Sequence, residues 1–134
     1  MKIAMASDVE GSALKTALVD YLLQKGYEVI DKGGGADAGA CAAFVAVLIA
    51  SGEAGAGILI SATGIGVTIA ANGFPGIRAC VCPDTYAVGR GVSQEDMNVL
   101  CLGAGSCGVE LSKELAMSFI KAILLREGPA RDTR

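Results

Sequence analysis

Segment 57–72 limits the folds open to this chain more than any other. Gly57-Ile58-Leu59-Ile60 reads as a buried strand, Ser61-Ala62-Thr63-Gly64-Ile65-Gly66 as a glycine loop, and Val67 to Asn72 as the start of a helix. A buried strand that feeds a helix through glycines belongs to a parallel sheet covered on both faces. The same glycines let backbone amides approach an anion or carbonyl closely, and the helix start adds partial positive charge there.

The rest of the chain repeats the pattern. Residues 1–7 read as a strand, and Leu14, Ala17, Leu18, Tyr21 and Leu22 recur at helical spacing until Gly26. Tyr27 to Asp31 makes a second strand, and a helix runs from about Ala38 to Ala50. Beyond the glycine loop, Pro75-Gly76 turns into a fourth strand over residues 77–82. Pro83, in the first helical turn, and Asp84 open another helix, and residues 98–102 form strand five. A second glycine-rich loop, 103–108, precedes a last helix with Leu111, Leu115, Phe119, Ala122 and Ile123 on one stripe, ended by Gly128-Pro129. Right-handed crossovers then predict a five-stranded parallel sheet covered on both faces by helices. The 134 residues fit one domain, 1–134, with a polar tail at 128–134 that is mobile or reaches a partner subunit.

Composition excludes several function classes. A net charge of −3 with both signs dispersed provides no field for nucleic acid. The apolar runs fall short of a membrane span, and no signal peptide is visible. Five cysteines without a C-x-x-C pair read as reduced, mostly buried thiols of a cytoplasmic protein, with metal ligation or nucleophilic chemistry as lesser readings. No metal or cofactor is expected. The chain has no histidine, so one common acid/base group is missing.

Ligands of such folds gather beyond the carboxyl ends of the strands. Those ends carry Ser7-Asp8, Asp31-Lys32, Ser61-Ala62-Thr63, Cys82-Pro83-Asp84 and Gly103-Ala104-Gly105. A dinucleotide fingerprint fails at Ile69, where a small residue is needed, and no Gly-Lys-Ser/Thr follows to make a P-loop. A cradle for a small polar substrate remains, in which Ser61 and Thr63 donate hydrogen bonds and the amides of Gly64 and Gly66 hold a developing oxyanion. The competing reading is a plain tight turn. Asp8 is the foremost acidic candidate, either orienting substrate or capping the helix that begins near Gly11. Glu10, Asp84 and Glu95 are less constrained, Asp96 and Asn98 read as a turn, and Tyr86 and Arg90 as surface residues.

In combination these stretches resemble the type B ribose-5-phosphate isomerases and the galactose-6-phosphate isomerase subunits. The matching strings are Lys2 to Asp8, Glu28-Val29-Ile30-Asp31-Lys32-Gly33, Thr63-Gly64-Ile65-Gly66, Ile69-Ala70-Ala71-Asn72 and Gly76-Ile77-Arg78-Ala79, with shorter ones elsewhere. The resemblance implies an α/β fold, a Rossmann-like three-layer α/β/α sandwich on the five-stranded parallel sheet, and metal-free aldose–ketose interconversion through an enediolate, in dimers or tetramers with active sites shared between subunits. By the same resemblance Asp8 and Asp37 lie beside the sugar, Thr63, Gly64, Ile65 and Gly66 hold the enediolate oxygens, and Asn72 is structural. Gln94, beside Glu95, stands where a ring-opening histidine is usual, and Val9 where a phosphate-binding histidine is usual. Ser61 replaces the cysteine that commonly moves the proton, Gly66 does not supply the glutamate of the other branch, and Gly105 replaces an arginine. Arg131 and Arg134 correspond to the basic tail pair.

Three readings follow. One is an isomerase of a sugar, sugar phosphate or sugar acid in which Asp8, Glu10 or another carboxylate is the base. The second is a noncatalytic sugar-binding member, or a partner subunit of an active paralogue. The third keeps the fold for a structural purpose. A homodimer is expected to bury the 103–108 region and the last helix.

Overall fold

The computed structural model describes residues 1–126. Five strands and five helices alternate without exception: β1 (Lys2–Ser7), α1 (Ser12–Gln24), β2 (Glu28–Asp31), α2 (Ala38–Ala50), β3 (Ala56–Ser61), α3 (Ile65–Asn72), β4 (Ala79–Val81), α4 (Thr85–Glu95), β5 (Val99–Gly103) and α5 (Val109–Arg126). The sheet is parallel throughout, in the order β2-β1-β3-β5-β4. This is the expected three-layer arrangement.

Side-chain alternation divides the core in two. Ile3, Met5, Ile58, Ile60, Leu100 and Leu102 face a layer made by α1, α4 and α5, with Phe119 fully buried in it. Ala4, Ala6, Leu59, Val99 and Cys101 face α2 and α3. The second face carries small residues because α2 lies very close: a Cβ on Gly57 would come within 2.3 Å of Val45 Cγ1. Apolarity on both faces is why β3 reads as an unbroken hydrophobic run.

The structure corrects several boundaries. Strand four is only Ala79–Val81, not 77–82. As an edge strand it pairs with β5 alone, and the Asn72 side chain grips Ala79 through both of its backbone polar groups, at 2.7 and 2.8 Å. That is the structural role expected of Asn72. Pro83 lies outside α4, because Asp84 is the N-cap and accepts the Ala87 amide at 2.8 Å. Leu111 leaves the buried stripe of α5 and is 40% exposed; the stripe runs through Ser112, Leu115, Ala116, Phe119, Ile120 and Ile123. Asp96 does mark a turn, as the left-handed C-cap of α4 with φ of 57°. Gly128, Pro129 and the tail lie outside the described residues. Among the described residues, no helix is long and apolar enough to cross a membrane.

Candidate active site

Chain direction creates the crevice. From β1 the chain moves outward to β2 through α1, then returns through α2 on the other face to β3, on the opposite side of β1. The carboxyl ends of β1 and β3 flank this reversal, the place where open α/β sheets bind ligands. Ser7 pairs with Ile60, and the Asp8 amide extends the ladder by donating to the Ile60 carbonyl at 3.1 Å. By strand parity, Asp8 continues the series Ala4, Ala6 while Ser61 follows Leu59, so both leave the sheet on the α2/α3 face. The two strands stand about 4.8 Å apart.

Loop 61–66 is tied to itself and to its neighbour. Ser61, 7% exposed, accepts the Gly64 amide on its hydroxyl oxygen at 2.8 Å, and Thr63 Oγ1 accepts the Ile65 amide at 3.1 Å. Gly64 caps α3 with φ of 78°, a conformation that favours glycine, and Val81, Leu102 and Gly103 crowd the place of its missing side chain. Loop 103–108 is fastened alongside by Ala104 and Gly105, whose amides donate to the Ser61 and Ala62 carbonyls at 2.8 and 2.9 Å. Gly103 has no room for a Cβ, which would lie 2.7 Å from the Thr63 carbonyl oxygen.

These bonds alter the expected donor set. The Gly64 amide is occupied by Ser61 and the Ile65 amide by Thr63, while the first-turn amides of Gly66 and Val67 have no partner within the helix. Because each hydroxyl oxygen is an acceptor in these bonds, the O–H groups of Ser61 and Thr63 stay free to donate.

Beside this loop, Asp8, Glu10 and Asp37 line one open cleft of about 360 Å³ with Val9, Gly35 and Ala36. Asp8 Oδ1 accepts the Gly11 amide at 2.8 Å, so it braces the turn before α1 instead of capping the helix, whose N-cap is Gly11. Its second oxygen has no hydrogen-bond partner among the described residues. Asp37 is the N-cap of α2, accepting the Ala40 amide at 2.7 Å. Val9, 76% exposed, lines the same cleft.

Sequence reasoning missed Lys15. It is 3% exposed, pairs with Asp31 at 2.7 Å and reaches the Gly34 carbonyl at 3.5 Å, anchoring the glycine-rich loop after β2. Burial alone raises the Asp31 carboxyl, yet hydrogen bonds from Lys15 and the Gly33 amide, with the charge of Lys15, hold it below its ordinary value. The signal was faint: one lysine next to the stripe Leu14, Leu18, Leu22. Cys41 was missed in a different sense. Its thiol lies near Asp8, but burial, then the Asp8 charge, pushes it up, so it is no substitute base. Burial likewise pushes Cys101 up to about 12. Cys41, Cys82 and Cys101 are buried, Cys107 is half-buried and Cys80 is exposed.

Gln94 and Glu95 are not brought to this place. They end α4 and lie near the amino end of the sheet, where Arg78 donates to the Glu95 carbonyl and Asn98 to the Arg78 carbonyl. A strand length, roughly 15 Å, separates the two ends of such a sheet. Arg131 and Arg134 lie outside the described residues.

Known proteins carry the same arrangement. A family model described as Ribose/Galactose Isomerase matches residues 3–133. The chain is 42% identical over 125 residues to ribose-5-phosphate isomerase B of Escherichia coli (strain K12), spanning 90% of this chain and 84% of that protein. It is 37% identical over 125 residues to 4-deoxy-4-sulfo-D-erythrose isomerase of Clostridium sp. (strain MSTE9), spanning 90% and 79%. Among solved structures, ribose-5-phosphate isomerase B of Clostridium thermocellum superposes with a TM-score of 0.87 at 40% identity, spanning 90% of this chain and 84% of that one. With the family model matched along nearly its whole length, the chain belongs to the ribose/galactose isomerase family.

Proposed function

We propose that the protein interconverts the aldose and ketose forms of a short sugar or sugar derivative through an enediolate held over loop 61–66. The observation that carries this reading is the shared face of Asp8 and Ser61 at the β1/β3 reversal, beside the first-turn amides of α3. Asp8 takes the proton from the carbon next to the carbonyl and returns it to the former carbonyl carbon, while the hydroxyl proton on that neighbouring carbon passes to the former carbonyl oxygen, so that carbonyl and hydroxyl change places. The amides of Gly66 and Val67 and the hydroxyls of Ser61 and Thr63 hold the oxygen on which charge develops. A serine hydroxyl is too weak a base for this step, which is why the proton is assigned to the carboxylate. Glu10 and Asp37 line the substrate's other flank. Gln94 and Glu95 of a second copy complete the site, since their own lie at the wrong end of the sheet; the assembly is a homodimer or a larger even oligomer.

Support comes from the family, whose relatives include a sugar-phosphate isomerase and a sulfo-sugar isomerase. The test is solvent deuterium. In D₂O, a substrate from a panel of sugars, sugar phosphates and sugar acids should gain deuterium next to its carbonyl. No exchange across the panel would overturn the reading. Saturable binding without exchange would instead favour a noncatalytic sugar-binding member or partner subunit, a reading to which the engagement of Ser61 by the Gly64 amide lends some weight.

A further inference from the structure

The helices on one side of the sheet turn no charge outward. Neither α2 nor α3 contains a charged side chain. Their two oxygen-bearing side chains serve the chain itself: Thr68 donates to the Gly64 carbonyl at 2.6 Å, and Asn72 holds Ala79. At helical spacing, Ala40, Phe44 and Val47 form an outer stripe on α2, and Ile65 and Ile69 form one on α3. Val47, Ile65 and Ile69 are 64%, 55% and 71% exposed. Because α2 and α3 pack side by side, the two stripes make one apolar face. The opposite layer instead carries Asp20, Arg90, Glu114 and Lys121 at exposed positions.

A helix that is apolar all round is a buried helix, so this face needs a cover. The cover must be uncharged at its centre, and a second copy of the same face supplies one through a two-fold axis. The face also adjoins the cradle, because Ile65 and Gly66, both exposed, belong to it and to loop 61–66. Both helices run from the carboxyl end of the sheet to its amino end. An axis perpendicular to them sets α2 antiparallel to the partner's α2 and brings the partner's amino end toward this cradle; an axis along them joins carboxyl end to carboxyl end. Only the first lets a second copy supply Gln94 and Glu95, so the choice of axis rests on the isomerase site proposed above. The rim agrees with it in charge. Lys32, whose ammonium lies 5.6 Å from the Phe44 ring near the start of α2, then comes to the partner's Glu53, just past the end of that helix.

We propose that a second copy of this chain covers the α2/α3 face through a two-fold axis perpendicular to these helices, with Val47 and Ile69 in the contact. The interface then lies on α2 and α3 rather than on residues 103–108 and the last helix, where the sequence alone locates it.

The experiment is sedimentation equilibrium of the full-length protein at micromolar concentration, which needs no substrate. The parent should be a dimer or a larger even assembly. Val47→Glu and Ile69→Glu should each weaken self-association by roughly 100-fold or more, and the milder Ile69→Ala by roughly 10-fold with the parent's circular dichroism retained. Leu125→Glu, at a position 84% exposed on α5, should leave it unchanged. Carbodiimide coupling reads the axis: Lys32 should join the partner's Glu53, a bond that cannot form within one chain because α2, about 20 Å long, separates the two residues. A monomeric parent would overturn the proposal. So would an assembly indifferent to Ile69→Glu and Ile69→Ala, or one reduced to monomers by Leu125→Glu, and a dimer in which Lys32 never joins the partner's Glu53 would overturn the axis. A dimer through this face that exchanges no deuterium keeps the interface while the isomerase reading fails; exchange by a monomer does the reverse.

Discussion

The Ser61 hydroxyl oxygen accepts the backbone amide of Gly64 at 2.8 Å, closing loop 61–66 on its first residue. The resemblance read from the sequence implies a proton-moving cysteine at this position. Ser61→Cys should therefore raise the rate of deuterium exchange, while Ser61→Ala should lower it and cost roughly 1–3 kcal/mol in urea unfolding, because a buried amide loses its acceptor. A Ser61→Cys protein no faster than the parent would place this residue away from the reacting carbon.

Asp8 uses one oxygen to brace Gly11 and is the proposed base with the other. Asparagine preserves an oxygen acceptor for the Gly11 amide but carries no charge. Asp8→Asn should leave the urea midpoint within about 1 kcal/mol of the parent while exchange falls on the order of 10²-fold or more. Equal losses of stability and exchange would make Asp8 a structural residue only.

Gly64 needs its left-handed backbone, and Val81, Leu102 and Gly103 stand within 3.0 to 3.2 Å of an added Cβ. Gly64→Ala should cost about 1–3 kcal/mol and displace the first turn of α3. The check is unfolding paired with substrate affinity, both of which should worsen together.

Lys15 and Asp31 give a pH signature. Asp31 is held below its ordinary 3.8, so its contribution is present above that value and disappears as pH falls through the lower folded one. Asp31→Asn strands a buried ammonium and should cost roughly 1–3 kcal/mol at neutral pH, toward the lower end because Asp31 is 38% exposed. The gap between parent and variant should close as pH drops below 3.8, as followed by thermal melts. Lys15→Met, which removes the charge along with its need for a partner, should cost less than Asp31→Asn.

Particular residues show what was legible in the sequence. The apolar run from Ile58 to Ile60 announced a doubly covered strand, and the parity that joins Asp8 to Ser61 follows once β1 and β3 are neighbours. That neighbourhood itself was not readable, because a right-handed crossover tells the hand of a connection and not how many strands it spans. The order β2-β1-β3-β5-β4 depends on which helices pack best. Gln94 and Glu95 fall at the other end of the sheet from Ser61 within one chain, and the resemblance had implied a site shared between subunits, which the sequence of one chain does not lay out. Lys15 escaped notice because a lysine beside a leucine stripe ordinarily reaches solvent, and only the fold reveals that Asp31 and Gly34 draw it inward.

The stitching of loop 61–66 to loop 103–108 runs through main-chain atoms: Ala104 to Ser61 and Gly105 to Ala62. A cradle whose contour is written in the peptide backbone can exchange the side chains mounted on it without losing its outline. The two positions are not equally open to change: at 61 the joining bonds belong to the main chain, whereas at 105 an added Cβ would lie 3.0 Å from the Ala62 carbonyl oxygen.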